Sequence, residues 1–356
     1  MLGTISGLIF INQKKFGKLA SGERLERIKK SPNYNNDAFH NQTFTPTFAD
    51  GTSYWEVMKM FFFGKFERTT PIDKIPSIKT NLKNISHDED IIVWFGHSSY
   101  FMQIEGKKYL IDPVFSGAAS PIPFSIQAFP GSNVYSADDI PELDYLIITH
   151  DHWDHLDYET IMKLKSKVKS IICPLGVGEH FEYWGFDTKK ITEEDWGAEV
   201  KLDLEVKINY TTARHFGGRL WRNKTLWTSY VLQTSKYKIF IGGDGGYDKH
   251  FKEIGDKFGP FDIAMLESGQ YNKFWRNIHL MPNEIINSAI DLITKRLFTV
   301  HNSKFKLAQH PWDEPLNSII ENNKSVNMNI VTPKIGEKVN LQDSNQQFEY
   351  WWKNVK

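Results

Sequence analysis

The pattern of hydrophobic and polar positions changes near residue 90. Upstream of it, the stretch SPNYNNDAFHNQTFTPTF contains too many Asn, Pro and Thr residues to sustain a helix. In the same region only SYWEVMKMFFF has a helical pattern. We therefore expect residues 1–90 to form an extended lead-in that packs on a core built by the rest of the chain.

Downstream, residues 91–356 alternate between short β-rich runs and helical segments. The predicted strands are IIVWFGHSS, YFMQIEG, KKYLIDPVF, DYLIIT, SIICPL, EVKINYTTA, TSYVLQT, YKIFIGGDGG, FDIAMLE and LFTVH. The EGKK segment predicts a hairpin turn, and the apolar spacing in YETIMKLKSKV and NEIINSAIDLITKR predicts helices. We find no repeat of fixed period, so the pattern predicts one layered α/β domain over residues 91–356.

The N-terminal end carries the apolar run LGTISGLIFI, followed by the basic segment NQKKFGK. The run is too short to span a bilayer, and it lacks the positive region and the small-residue cleavage site of a secretory signal. We expect a packed or interfacial arm in a cytoplasmic protein, with membrane association through this arm left open. For the segment FFFGKFER we expect packing on the domain edge, and contact with a lipid interface is the alternative.

Charge and composition narrow the classes of partner. Lys plus Arg and Asp plus Glu both total 43, and this zero net charge argues against a nucleic-acid partner. Cys173 is the single cysteine, which excludes an intramolecular disulfide and a Cys-rich zinc cluster, so we expect a buried small apolar residue there. Aromatic residues make up 14% of the chain, enough for an apolar cleft. We expect a small-molecule or lipid substrate, and the oligomeric state stays open.

The segment THDHWDHLD concentrates metal-ligand chemistry directly after a predicted buried strand. His150 and His152 are two residues apart on a chain leaving a strand, so both imidazoles can point to the same side. Asp154 and His155 follow at the turn. Clustered His and Asp without a thiolate suit a zinc-type metal in a catalytic site, whereas the alternative is a solvated loop that caps the next helix. We interpret Asp157 as the N-cap of that helix and not as a ligand.

This loop resembles the His-x-His-x-Asp-His signature of the metallo-β-lactamase superfamily, and later motifs follow in the same order. KKYLIDP offers Asp112, TARHFGGR offers His215, IGGDGGYD offers Asp244 and TVHNSKFKLAQH offers His301. The resemblance implies a four-layer αββα sandwich that holds two Zn²⁺ ions, with iron or manganese as alternatives. It implies that Asp112 orients a ligand and that Asp244 bridges the two ions. The implied ligand sets are His150, His152 and His215 for one ion, and Asp154, His155 and His301 for the other.

The flanking segments resemble one branch of that superfamily, the branch of N-acyl-phosphatidylethanolamine-hydrolysing phospholipase D and its bacterial relatives, which neighbours the ascorbate-phosphate lactonases. The segments are WFGHSSYFMQIEGKKYLIDPVFSGAASP, HFGGRLWRNKTLW, IHLMPNEIINSAIDL and HNSKFKLAQHPWDEP. By this resemblance His279 assists at the phosphate, although a helix-capping loop histidine is the alternative. His97 is expected near the metals or in a core hydrogen bond. Asn302 and Ser303 depart from the Trp and Gly that the branch commonly has.

The function implied is that of a dinuclear metal-dependent hydrolase, with Asp154 and His279 as catalytic residues. The most specific expectation is a phospholipase D-type phosphodiesterase acting on N-acyl-phosphatidylethanolamine-like lipids or on a small amphiphilic phosphodiester. A lactonase or a non-hydrolytic metal-binding protein is the alternative. Arg219 and Arg222 are candidates to receive an anionic substrate, with a structural ion pair as the other interpretation. The glycines around Asp244 lack the Lys and Ser/Thr of a phosphate loop, and we expect them to let the backbone turn tightly.

Overall fold

The computed structural model of the protein describes residues 7, 9–122 and 124–356. Most of the apolar run LGTISGLIFI therefore lies outside the described residues. Among the described residues, no helix has the length and the apolar content that crossing a bilayer requires.

The described residues form two seven-stranded sheets, a small hairpin and seven α-helices. The strands are β1 Tyr34–Asn35, β2 Ala38–Phe39, β3 Ile91–Trp94, β4 Tyr100–Ile104, β5 Lys107–Ile111, β6 Leu143–Ile147, β7 Val168–Pro174, β8 Ile191–Glu194, β9 Glu199–Lys201, β10 Lys207–Thr211, β11 Ser229–Gln233, β12 Lys238–Ile241, β13 Ile263–Glu267, β14 Arg296–Val300, β15 Asn329–Val331 and β16 Lys338–Asn340. The helices are α1 Gly22–Lys29, α2 Tyr54–Phe63, α3 Tyr158–Leu164, α4 Gly178–Tyr183, α5 His250–Phe258, α6 Glu284–Asp291 and α7 Glu314–Asn323.

Each large sheet is half antiparallel and half parallel. The first sheet has the order β16-β3-β4-β5-β6-β7-β8, and its strands from β5 to β8 are parallel. The second sheet has the order β15-β14-β13-β12-β11-β10-β9, and its strands from β12 to β15 are parallel. Parallel neighbours end at the same edge of a sheet, so the loops that follow them are brought together.

The side chains of the two sheets alternate between three apolar layers, as the period-two geometry of a strand requires. Ile147 and Ile172 of the first sheet face Ile239 and Met265 of the second sheet in the central core. The alternate residues of the first sheet pack on α3 and α4, and those of the second sheet pack on α5, α6 and α7. The expected four-layer αββα sandwich is confirmed.

Several local predictions are confirmed because short-range chemistry decides them. The turn between β4 and β5 consists of Glu105 and Gly106, both with positive φ (49° and 74°), the conformation that a two-residue hairpin favours. Helix α2 begins after Ser53, whose side chain forms a capping box with Glu56. Asp157 caps α3 by accepting from the Glu159 N–H. Cys173 is buried.

Two helix predictions need correction. The lead-in contains a second helix, α1, which its sequence pattern did not indicate. The side chain of Arg24 holds this helix against the domain through the carboxylates of Glu179, Glu182 and Glu193 at 2.5–2.9 Å, so long-range ion pairs contribute where local propensity is weak. Helix α6 is shorter than the pattern predicted. It ends at Asp291, because Ile293 has a φ of 57° that no α-helix accommodates.

Candidate metal centre

The predicted metal ligands lie in loops that leave the carboxyl ends of four strands. His150, His152, Asp154 and His155 follow β6 of the first sheet. The second sheet supplies the others: His215 follows β10, Asp244 follows β12 and His301 follows β14. These three strands run in the same direction, because β10 and β12 are both antiparallel to β11, and β12, β13 and β14 are parallel. The fold thus brings all the predicted ligands to one edge.

A first cluster is formed by three histidines whose ring nitrogens converge. His152 Nδ1 lies 2.9 Å from His150 Nε2 and 3.3 Å from His215 Nε2. Nitrogens bound to a zinc ion at about 2.0–2.1 Å in a tetrahedral site lie roughly 3.3–3.4 Å apart, so this spacing fits a shared cation. Burial lowers the pKa of His152 to about 4 and moves the pKa values of His150 and His215 well below the usual range. The histidines are therefore neutral, as metal ligands must be.

A second cluster contains Asp154, His155, Asp244 and His301. His155 Nε2 lies 3.1 Å from Asp244 Oδ2 and 3.5 Å from Asp154 Oδ2, and His301 Nδ1 lies 3.2 Å from Asp244 Oδ1. Asp244 Oδ2 is also 4.0 Å from His150 Nε2 and 3.9 Å from His215 Nε2. Asp244 therefore lies between the two clusters, in the position expected of a bridging carboxylate.

Two buried atoms of this second cluster have no hydrogen-bond partner among the described residues. They are Oδ1 of Asp244 and Nε2 of His301. An unpaired polar atom in the interior is costly unless a further group satisfies it. Together with the all-His/Asp donor set, these atoms fit a divalent cation, and the donor chemistry suits zinc as well as iron or manganese.

Asp112 and His97 are not predicted ligands, but they contact two residues of the second cluster and fix their orientation. Asp112 Oδ2 accepts from His155 Nδ1 at 2.8 Å and from Thr149 Oγ1 at 2.6 Å, which leaves Nε2 of His155 directed at the cluster. This is the orienting role that the resemblance implies for Asp112. His97 Nε2 lies 2.8 Å from Asp154 Oδ2, so this fully buried histidine fixes the rotamer of a predicted ligand.

Sequence reasoning missed Glu267, the last residue of β13. Its Oε1 accepts from the Gly245 N–H and the Leu280 N–H, and its Oε2 lies 2.5 Å from Nδ1 of His279. Burial raises the pKa of Glu267 to about 7, while Glu267 raises the pKa of His279 against the opposing effect of burial. Glu267 therefore joins the Asp244 loop to His279. A carboxylate at the end of the buried run FDIAMLE, like Asp244 and His301 at the ends of neighbouring strands, was the signal that could have found it.

The two candidate arginines separate in the structure. The guanidinium of Arg219 donates to the carbonyls of Lys15, Asp151 and Leu156 and lies 3.7 Å from the centroid of the Trp153 ring. Arg219 therefore joins the loop of residues 150–155, the metal loop, to the lead-in. Its donors bind backbone carbonyls, and it does not form the structural ion pair that the sequence suggested. Arg222 instead lies over the Phe216 ring at 3.5 Å and lines the pocket of the site.

His180, which the sequence left unassigned, also supports the metal loop. Its Nε2 lies 2.9 Å from Oδ2 of Asp151, the residue between ligands His150 and His152, and its Nδ1 accepts from the Lys18 N–H of the lead-in. Ser303, at a position where the branch commonly has Gly, adopts the left-handed conformation with φ of 62°. Asn302 is buried and donates to Ser268 Oγ. Both departures are thus accommodated without displacing His301.

Five of the seven predicted ligands line a cavity of about 460 Å³, namely His152, Asp154, His215, Asp244 and His301. His279 and Arg222 line it together with the metal clusters. Its other wall is apolar and comes largely from α2 of the lead-in and from the segment before α6. The apolar lining residues are Phe48, Tyr54, Val57, Met58, Phe61, Phe216, Trp275, Ile278 and Leu307.

Comparisons with known proteins agree with this geometry. A family model described as the beta-lactamase superfamily domain matches residues 107–302, which contain every predicted metal ligand. An uncharacterised protein of Mycobacterium tuberculosis is 32% identical over 332 residues, which cover 91% of this chain and 88% of that protein. N-acyl-phosphatidylethanolamine-hydrolyzing phospholipase D 1 of Caenorhabditis elegans is 31% identical over 211 residues, 54% of this chain and 58% of that enzyme. Igni18, a metallo hydrolase of Ignicoccus hospitalis, superposes with a TM-score of 0.54 at 18% identity over 70% of this chain and 97% of its own.

Proposed function

The chain belongs to the metallo-β-lactamase superfamily of metal-dependent hydrolases, and from this premise we propose that it is a dinuclear phosphodiesterase acting on an amphiphilic phosphodiester. N-acyl-phosphatidylethanolamine-like lipids are the most specific members of this substrate class. The proposal includes two divalent ions, zinc in the first instance, held by the His150 and Asp154 clusters with Asp244 between them. Two bound ions would supply Lewis-acid activation of water and of the phosphorus centre.

The observation that carries the proposal is the two-sided cavity. One side presents the predicted ligands, His279 and the cation Arg222, while the facing side is built from apolar side chains such as Met58 and Phe61. A phosphodiester with an apolar substituent is likewise polar at one end and apolar at the other. Its phosphate is stabilised by cations, and transfer of its hydrocarbon from water to the apolar wall is favourable. A small polar substrate would leave the apolar wall unused.

Three polar residues of the cavity, Asp154, His279 and Arg222, then have distinct tasks. Asp154, held by His97, would hold one ion and orient the attacking water. His279 has Nδ1 committed to Glu267, so Nε2 is the atom that can hold a proton toward a phosphate oxygen. Arg222 is paired with the ring of Phe216 and has no carboxylate partner among the described residues, which leaves its donors for the phosphate.

The test is a screen of the purified, zinc-loaded chain against soluble phosphodiesters, phospholipids and lactones. The proposal expects phosphodiester and phospholipid turnover that depends on Arg222, with lactones poor substrates. Lactone turnover without phosphodiester turnover would contradict the proposal and establish the lactonase alternative. Iron in the chain as isolated, with oxygen consumption and no hydrolysis by the iron-loaded or the zinc-loaded chain, would establish a redox metalloprotein instead, because zinc has no redox chemistry.

A further inference from the structure

Helix α2 has a second apolar face that no described residue covers. Trp55, Phe62 and Phe63 project from it with exposed fractions of 64%, 71% and 78%, and Val57 is the buried residue of the helix. A contiguous exposed aromatic patch on a surface helix therefore indicates an interaction site.

This face is continuous with the entrance of the cavity. Met58, which lines the cavity with Phe61, lies three residues after Trp55 and four before Phe62, so it neighbours both on the helix surface. The exposed aromatic side chains of α2 therefore adjoin residues that line the cavity.

The charges on the helix favour an anionic surface as the occupant. The ammonium group of Lys59 lies 5.7 Å from the centroid of the Trp55 ring, and Lys65 follows the end of the helix. The carboxylate of Glu56 is occupied by the N-cap, where it accepts from the N–H and the hydroxyl of Ser53. Aromatic side chains that project between lysines are the pattern of an interfacial helix, in which the rings enter the headgroup region and the ammonium groups meet lipid phosphates.

We propose that α2 docks the protein on a bilayer that contains anionic lipid, with Trp55, Phe62 and Phe63 inserted at the headgroup level. An amphiphile could then move from the bilayer into the cavity without exposing its hydrocarbon to water. The docking deepens the proposed function, and only the choice of a lipid as the natural substrate rests on that function. Vesicle binding itself can be measured without turnover.

The first experiment is flotation of the full, zinc-loaded chain with vesicles of phosphatidylcholine alone and of phosphatidylcholine mixed with phosphatidylglycerol. We expect binding to the mixed vesicles that weakens with salt, and a loss of at least about tenfold in partitioning for the double variant Trp55→Ser/Phe62→Ser. The matched control is Leu204→Ser. Leu204 is 85% exposed but precedes β10, at the end of that strand opposite His215. Equal binding of the double variant, or no binding of the unchanged chain, overturns the proposal.

The second experiment reports where the chain meets the bilayer. Because the native Cys173 is buried, Phe62→Cys and Leu204→Cys can each be labelled with an environment-sensitive fluorophore. We expect a blue shift on adding mixed vesicles at position 62 and no shift at position 204. The reverse result overturns the assignment to α2. A concentration-dependent dimer that is lost in Trp55→Ser/Phe62→Ser, without vesicle binding, would assign the face to a second copy of the chain and also overturn the proposal.

The docking proposal and the proposed function can be refuted independently of each other. Hydrolysis of the soluble diester bis(p-nitrophenyl) phosphate should be the same in the unchanged chain and in Trp55→Ser/Phe62→Ser, because neither side chain lines the cavity. Soluble-diester turnover without vesicle binding would refute the docking and leave the function standing. Vesicle binding without turnover of any phosphodiester would refute the function and leave the docking standing.

Discussion

The two walls of the cavity are built in opposite ways. On the metal side, side chains such as His155 and Asp244 are fully buried, and each is held by residues from another strand end. On the apolar side, α2 belongs to the lead-in, is mostly exposed and has Val57 as its buried residue. The difference teaches that catalytic groups are pre-organised by the domain. Under the proposed function, the lead-in would select the substrate through contacts that tolerate change.

The largest effect is expected from substitutions of predicted metal ligands that line the metal side of the cavity. Asp244→Ala or His152→Ala should reduce the metal content below about two ions per chain and abolish hydrolysis, because each residue contacts a cluster that cannot close without it. Metal analysis by mass spectrometry and an activity assay check this. The control is His87→Ala, an exposed histidine outside both clusters. Unchanged metal content in both ligand variants would refute the assigned site.

A smaller effect separates the reaction from metal binding on the same wall. His279→Ala should keep both ions and lower kcat by roughly 100-fold, the scale of a positioned acid, base or phosphate-polarising group. Steady-state kinetics on a soluble phosphodiester with parallel metal analysis would show it. If the variant loses metal, His279 is a ligand, and the assignment of His301 must be revised.

Glu267→Gln tests whether Glu267, the hydrogen-bond partner of His279, positions that histidine. Gln can still accept from Gly245 and Leu280, but its amide would donate to Nδ1 of His279 and so change which ring nitrogen carries the proton. We expect kcat to fall by about tenfold with KM and metal content unchanged. A fall in thermal stability with unchanged kcat would show instead that Glu267 acts only in holding the loops together.

Changes to the apolar wall should act on substrate selection alone. Met58→Ala/Phe61→Ala removes lining side chains and should raise KM for a long-chain phosphodiester by about tenfold, since each lost methylene contact in a pocket weakens binding. Turnover of a short soluble phosphodiester should change little, and this substrate is the internal control. Equal losses on both substrates would show that α2 supports the metal wall and that the division between the walls is wrong.

The smallest effect is expected at the outer end of the lead-in. Deletion of residues 1–12 should leave the fold and the metal content intact, because hydrogen bonds of Lys14, Lys15 and Lys18 that join the lead-in to the domain lie beyond the deletion. The carbonyl of Lys14 accepts from Trp184, the carbonyl of Lys15 from Arg219, and the Lys18 N–H donates to His180. Circular dichroism and metal analysis of the truncated chain check this, and loss of folded, metal-loaded protein would place the deleted residues in the core.

The sequence by itself determined the features that depend on residues close together in the chain. The spacing of His150, His152, Asp154 and His155 after a buried strand predicted a metal loop. Alternating and helical periods predicted strands β3–β7 and β10–β14 and helix α2, whereas the other six strands were not predicted. The ordered later motifs, through the superfamily they resemble, predicted the αββα sandwich. These signals are local because hydrogen bonding, capping and side-chain direction repeat over a few residues.

The tertiary structure alone decided which distant side chains meet. Glu267 ends β13 and His279 lies in the segment between β13 and α6, and the two pair because that segment folds back to the strand end beside the Asp244 loop. Arg219 and Arg222 are three residues apart with the same charge, yet backbone carbonyls take up the first while the second faces the cavity. Helix α1 depends on carboxylates more than 150 residues away. The physical reason is that the local sequence pattern determines the direction of each side chain, whereas the packing of the two sheets determines which other residues it contacts.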